Sequence, residues 1–221
     1  DLAAAVRRLD RAIAAGDVIR GEWTRTEDGR ERACLLAALA PVCGVERTSS
    51  ACPAEVLPPW LAECVPWIDD AGTEGVWPEM IQTFADLLRD SAGAPAELWP
   101  RLNLHWRRVA IAETMAHTAN LTVLGVCAEV AALLDAELAG EQIDSEAWAD
   151  AGMAACEARR PATWAEAAAA RSASCAAAAA AARAASCAAA SATSATTPAA
   201  QSAADRITAE FFASWRAELT S

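Results

Sequence analysis

Leu2, Val6, Leu9 and Ile13 recur at the i, i+4, i+7, i+11 spacing of one helical face, and Gly16 ends the run. The stretch "DVIRGEWTRTEDGRER" follows, with an Asp28-Gly29 turn signal that fits a short hairpin or an irregular loop. "RERACLLAALA" reads as a helix ended by Pro41, and "VCGVERTSSACP" as a loop. Pro58, Pro59 and Pro66 are expected to chop the next segment into short turns, with Asp69, Asp70 and Glu74 together in an acidic loop. "TEGVWPEMIQTFADLLRD" has the clearest amphipathic stripe, built by Trp77, Met80, Ile81, Phe84, Leu87 and Leu88, with Pro78 in the first turn.

A further helix starting near Pro95 carries Leu98, Leu102, Trp106, Val109 and Met115. "NLTVLGVCAEVAALLDAELAG" is apolar on most of its circumference and reads as a central core helix closed by Gly140. The next helix opens on Asp144 as cap and runs toward Pro161, and the last shows Ile207, Phe211, Trp215 and Leu219 on one face. No run of alternating β-branched residues occurs. The pattern predicts an all-α fold, an irregular multi-helix bundle with a long alanine-rich helix near the C-terminus. It divides into residues 1–140, with short helices and loops to about 75 and longer helices after, and an alanine-rich region over 141–221.

Between Ala170 and Ala192, 15 of 23 residues are alanine. "ARSASCAAAAAA" is followed by a near-copy, "ARAASCAAASAT", twelve residues on, an advance of about 120° beyond whole turns, so the two Cys and the two Arg do not align. Alanine propensity predicts helix from Ala162 to about Thr193, a rod of about 45 Å. Such a rod exposes little to grip but allows close helix–helix approach, inside one bundle or between copies. Ala176, Ala180, Arg183 and Cys187 are the candidate interaction residues on it.

Composition sharpens these expectations. All 18 basic residues are Arg, nine Trp accompany no Tyr, and alanine dominates, a pattern that GC-rich codon usage produces. The net charge of −12 argues against direct nucleic-acid binding and against an anionic membrane surface, which both need a cationic face. No uninterrupted apolar run suits a membrane span, and no signal peptide opens the chain. The expected location is cytoplasmic or virion-associated. Eight cysteines are too dilute for a disulfide-stapled miniprotein, and none shows C-x-x-C spacing. One or two bridges among Cys34, Cys43, Cys52 and Cys64 would suit an exported protein.

Candidate chemistry is sparse. Glu113 and His117 stand at i, i+4 and could face one metal ion, with Cys127 or Asp135 from the next helix as further ligands. A carboxylate–imidazole pair at this spacing is more often a surface contact. His105 reads as a satisfied, half-buried histidine. Trp60, Trp67, Trp77 and Trp99 could line an aromatic groove, although large packing residues are the commoner role. Phosphate-loop, metalloprotease and basic recognition-helix motifs are absent, and the sequence implies no cofactor.

"GEWTRTEDGRERACLLAALAP", "CPAEVLPPWLAECVPWIDDAG" and the alanine-rich tail resemble alanine- and tryptophan-rich hypothetical proteins of GC-rich bacteria and their phages. That resemblance implies an accessory protein of phage or mobile-element origin and brings no activity with it. The expected function is a non-enzymatic, helical interaction or structural protein that self-associates through alanine-rich helices or binds another protein. The alternatives are a metal-binding protein or metal-dependent enzyme around Glu113 and His117, and an acidic inhibitor of a host nucleic-acid-binding or defence protein.

Overall fold

The structure is a computed structural model that describes residues 1–158, 164–177 and 197–220. It is all-α apart from one hairpin, with ten α-helices among the described residues. None of them is long and apolar enough to cross a membrane. The chain forms two compact units, Asp1–Ala96 and Glu97–Glu218. The division falls in the connection after Ser91-Ala92-Gly93, and the helices on either side of Gly140 pack on each other within the second unit.

In the first unit, α1 (Leu2–Ala15) is capped by the Asp1 carboxylate and closed by Gly16 at φ 69°, and it buries Ala5, Val6 and Leu9. Asp28 and Gly29, both left-handed, make the tight turn between β1 (Thr24–Glu27) and antiparallel β2 (Arg30–Ala33). Backbone bonds from Ile19 to Ala33 and from Ala33 to Asp17, each 2.9 Å, lay the preceding segment along β2.

β2 therefore takes residues that the sequence pattern assigns to a helix, and α2 is confined to Leu35–Leu39, every residue of it buried. α2 ends just before Pro41, with Ala40 extended at φ −133°, the backbone region favoured by a residue that precedes proline. Pro41 then opens α3 (Pro41–Glu46), where a missing N–H costs nothing and where the sequence pattern reads as a loop. Gly44 is needed for space: a Cβ there would lie 2.8 Å from Thr24 Cγ2. A single 3-10 turn, Ser49–Ala51, follows.

The three prolines do not chop the next segment. Pro59 begins α4 (Pro59–Ala71), and Pro66 sits inside it. Losing one internal hydrogen bond is offset by burying Leu61, Ala62, Cys64, Val65 and Ile68 along the same helix. α5 (Trp77–Asp90) matches its amphipathic stripe, burying Met80, Ile81, Phe84, Leu87 and Leu88.

The second unit holds α6 (Leu98–His117), α7 (Leu121–Leu138), α8 (Ser145–Glu157), α9 (Trp164–Ala177) and α10 (Thr197–Thr220). α6 packs on α7 and α9, and α8 on α7 and α9. α7 buries one face only (Val123, Val126, Cys127, Val130, Leu134) and leaves Leu121 exposed, so it is amphipathic instead of central.

α9 is the described part of the alanine-rich tract. Its Ala169, Ala170, Ala173 and Ala176 are fully buried within this unit, as is Ser172, whose hydroxyl lies 3.0 Å from that of Thr114 on α6. The rest of the expected rod, with Ala180, Arg183 and Cys187, lies outside the described residues.

Close approach at α9 leaves no room for larger side chains. Ala173→Leu is expected to destabilise the protein by about 1–3 kcal/mol in urea unfolding, whereas Ala149→Leu on the exposed side of α8 should change it little.

Candidate functional site

Asp69 is the most deeply buried carboxylate of the first unit, at 1% exposure. It sits in the last turn of α4, not in a loop, and its two oxygens accept from different elements. Oδ1 takes the Trp77 indole N–H at 2.7 Å, and Oδ2 takes the Leu35 backbone N–H at 3.1 Å, at the start of α2. Arg20 closes the end of α4 from outside. Its Nε donates to the Asp69 carbonyl and a terminal nitrogen to the Gly72 carbonyl, at 2.7 and 2.6 Å, both at the C-terminal end of the helix. Asp70 accepts from Gly21 N at 2.8 Å.

Burial pushes Asp69 from 3.8 up to about 6, against the lowering effect of the Trp77 and Leu35 hydrogen bonds. An open depression of about 180 Å³ beside it is lined by Glu22, Trp23, Cys34 and the two aspartates, among others. Cys34 caps α2 through its sulfur, and burial raises its thiol further above the ordinary value than that hydrogen bond lowers it. A thiol in that state is a poor nucleophile, so this arrangement works as a latch between α2, α4 and α5.

The second unit is organised by α6 against α10. Glu218 accepts both Arg101 Nε (2.7 Å) and a terminal Arg101 nitrogen (2.8 Å), and His105 Nε2 lies 2.7 Å from the same carboxylate. The Arg101 hydrogen bonds, aided by His105, outweigh burial and hold Glu218 down at about 2. One turn after another toward the other end, Trp106 meets Phe211 edge-on with centroids 4.7 Å apart, and Arg206 reaches Glu113 and His117. His105 is thus half-buried and satisfied, as its sequence context suggests.

Glu113 and His117 do come together, at 2.9 Å. Their third partner is the Arg206 guanidinium, which donates to both Glu113 oxygens and lies 3.1 Å from His117 Nε2. A fixed positive charge stands where a metal ion would need to be. Cys127 is fully buried on α7 with its thiol pushed up to about 12, and Asp135 pairs with Arg108 at 2.7 Å. Among the described residues, no three His, Cys, Asp or Glu side chains converge as metal ligands. Of the four tryptophans, Trp77 is committed to Asp69, and Trp99 to Trp215 at 6.0 Å.

Sequence reasoning did not anticipate Arg107. It lies on α6 at 5% exposure, donates from Nε to the Ala176 carbonyl at 2.6 Å, and stacks 4.7 Å over the Trp148 ring. Burial lowers it to about 10, against the attraction of Glu137. Nothing in an Arg-rich helix surface pattern marks it out. Ala176, a candidate interaction residue, is thereby occupied inside its own unit.

Two pH effects of opposite sign follow. The folded pKa of Asp69 is raised, so native protein binds the proton more tightly than unfolded chain. Its contribution is favourable below about pH 4 and is lost as pH rises through about 6. Asp69→Asn should flatten that slope between pH 4 and 6. At pH 7 it should also cost about 1–3 kcal/mol in urea unfolding, because an amide NH2 then faces one of two donors. The folded pKa of Glu218 is depressed, so its contribution is present above 4.5 and fades as pH falls through about 2. Glu218→Gln should cost about 1–3 kcal/mol at pH 7 and progressively less at pH 3 and below. No protein-family model matches the chain, and no curated protein or solved structure matches it either.

Proposed function

We propose that the protein acts through protein–protein contact, and that the outer face of α8 takes a basic amphipathic helix from a partner protein. The observation that carries this reading is the exposed stripe Glu146, Ala149, Asp150, Met153, Cys156 and Glu157, at the i, i+3, i+4 spacing of one helix face. Met153 is 60% exposed at its centre. It borders an open groove of about 360 Å³ formed with Trp148, Gly152 and Cys156 on α8 and Ser174 and Ala177 on α9.

Acids flank this apolar strip at both ends, and α8 carries no basic residue. Glu146, Asp150 and Glu157 have no ion pair among the described residues, in a chain of net charge −12. Charge complementarity therefore selects an occupant with an apolar ridge bordered by Arg or Lys. A second copy of so acidic a chain is disfavoured by the same argument. The described alanines of α9 are buried in their own unit, which moves the reading away from alanine-to-alanine pairing between copies.

Calorimetric titration with a designed Leu/Lys amphipathic helix tests it. Binding should weaken roughly tenfold or more in Met153→Glu, since a charge enters the apolar centre. Simple attraction to an acidic surface would tighten in that variant, because it adds a negative charge. Unchanged or tighter binding in Met153→Glu would sink the reading. So would light scattering that shows a dimer broken by the same substitution, which would assign the face to self-association.

A further inference from the structure

A pair of thiols in the first unit is brought together by the loop that separates them. After α3 the chain reverses at Arg47, held left-handed at φ 54°. Thr48 N donates to the Cys43 carbonyl at 3.3 Å, and the 3-10 turn Ser49–Ala51 folds back on α3. The Thr48 hydroxyl caps that turn at Ser50 N, and Cys52 N donates to the Ser49 carbonyl at 3.0 Å. With the 3-10 turn packed on α3, the Cys43 and Cys52 side chains come within interaction range of each other, and the Cys52 sulfur faces the Pro53 carbonyl at 3.8 Å. Cys43 is fully buried and Cys52 partly exposed.

We propose that Cys43 and Cys52 are an oxidation site, a dithiol that closes to a reversible disulfide on exchange with a small-molecule disulfide. Cys52, the accessible sulfur, loses its proton and attacks the oxidant RSSR, giving a Cys52–S–SR mixed disulfide and one RS⁻. Cys43 then loses its proton to solvent and attacks the Cys52 sulfur, forming the Cys43–Cys52 bond and releasing the second RS⁻. Two protein thiols are oxidised and one RSSR is reduced to two thiols. Burial holds both thiols above their ordinary value, Cys43 at about 12, so the exchange is slow at pH 7 and accelerates as pH rises. Both residues belong to the first unit and α8 to the second, and this proposal uses no observation of the binding reading.

The test uses the full chain, reduced, desalted and incubated with oxidised glutathione at pH 8.5. In Cys156→Ser, which removes the exposed thiol outside the pair, the denatured thiol count should fall by two. Intact mass should fall by two hydrogens, and dithiothreitol should restore both. A digest that separates Cys34 from Cys43 and Cys52 from Cys64 should yield one cross-linked peptide, Cys43 to Cys52. Cys43→Ser and Cys52→Ser should each abolish it, with Cys34→Ser as the variant that keeps it. A glutathione adduct that stays on Cys52 without loss of two hydrogens overturns the proposal. A cross-link through Cys34 or Cys64 does so too, and the digest reads this on wild-type protein even where a variant fails to fold.

Discussion

The edge-on contact of Trp106 with Phe211, framed by one Arg–Glu–His cluster on either side, registers α10 against α6. Much of the second unit depends on it. A buried alanine methyl contributes on the order of 0.8 kcal/mol, so α9 supplies closeness more than energy. The large apolar areas come from Trp106, Phe211 and Trp215, all fully buried, and from the edge-on stacking of Trp99 on Trp215. A tilted aromatic pair adds about 0.5–1.5 kcal/mol beyond its area. The ionic clusters then fix register: sliding α10 by one turn would leave half-buried Glu113 and Glu218 without their arginines, a cost larger than the gain from any single pair.

Close packing of small residues creates a second requirement, the satisfaction of polar groups sealed between helices. Thr114 answers it by donating to the Ala110 carbonyl one turn back and meeting Ser172 across the α6–α9 contact. Arg107 answers it with a carbonyl and an aromatic face instead of a carboxylate hydrogen bond. In the first unit Asp69 has the same standing, a charge-bearing group accepted into the interior because Trp77 and Leu35 both donate to it. Each of these groups ties together elements that apolar contacts alone would leave free to slide.

These interior polar groups are also where sequence reasoning ran out. Helix existence was legible wherever a 3.6-residue stripe of large side chains existed, as in α1, α5 and the Ile207-Phe211-Trp215 face of α10. The cap at Asp144 was equally legible, because a side-chain oxygen before an apolar run has one local use, and the structure adds caps of the same kind at Asp1 and Asn120. Pro41 ended α2 as expected but also opened α3, and Pro66 misled because burial along α4 overrode it. The Asp28-Gly29 turn made the hairpin one of two readings, but "RERA" also read as the start of a helix, because its strand state comes from pairing with Thr24–Glu27 and residues 17–19 and not from its own propensity. Of the expected metal set, the Glu113–His117 contact followed from spacing, but Arg206 arrives from a helix 89 positions away, and no local pattern announces it. Asp69 and Arg107 share that property: their roles are set by long-range partners.

The distribution of ion pairs gives the acidic balance its meaning. With 18 arginines against 30 carboxylates, a surplus of acid is unavoidable, and its placement is informative. Arginines are spent on Glu113, Glu218, Asp135, Asp10 and Asp17, carboxylates that hold one element to another. Among the described residues none is spent on α8, although the helix exposes three acids around Met153. An exposed acid with no cation nearby costs little in water, and an exposed methionine costs little alone. Their coincidence on one face leaves an apolar centre whose surroundings favour positive charge. Simple solubility would be served as well by acids without the methionine and the groove beside it. On the proposed reading, the groove is the feature that would make the acidic face selective for an amphipathic cation, and not merely repellent to other acidic surfaces.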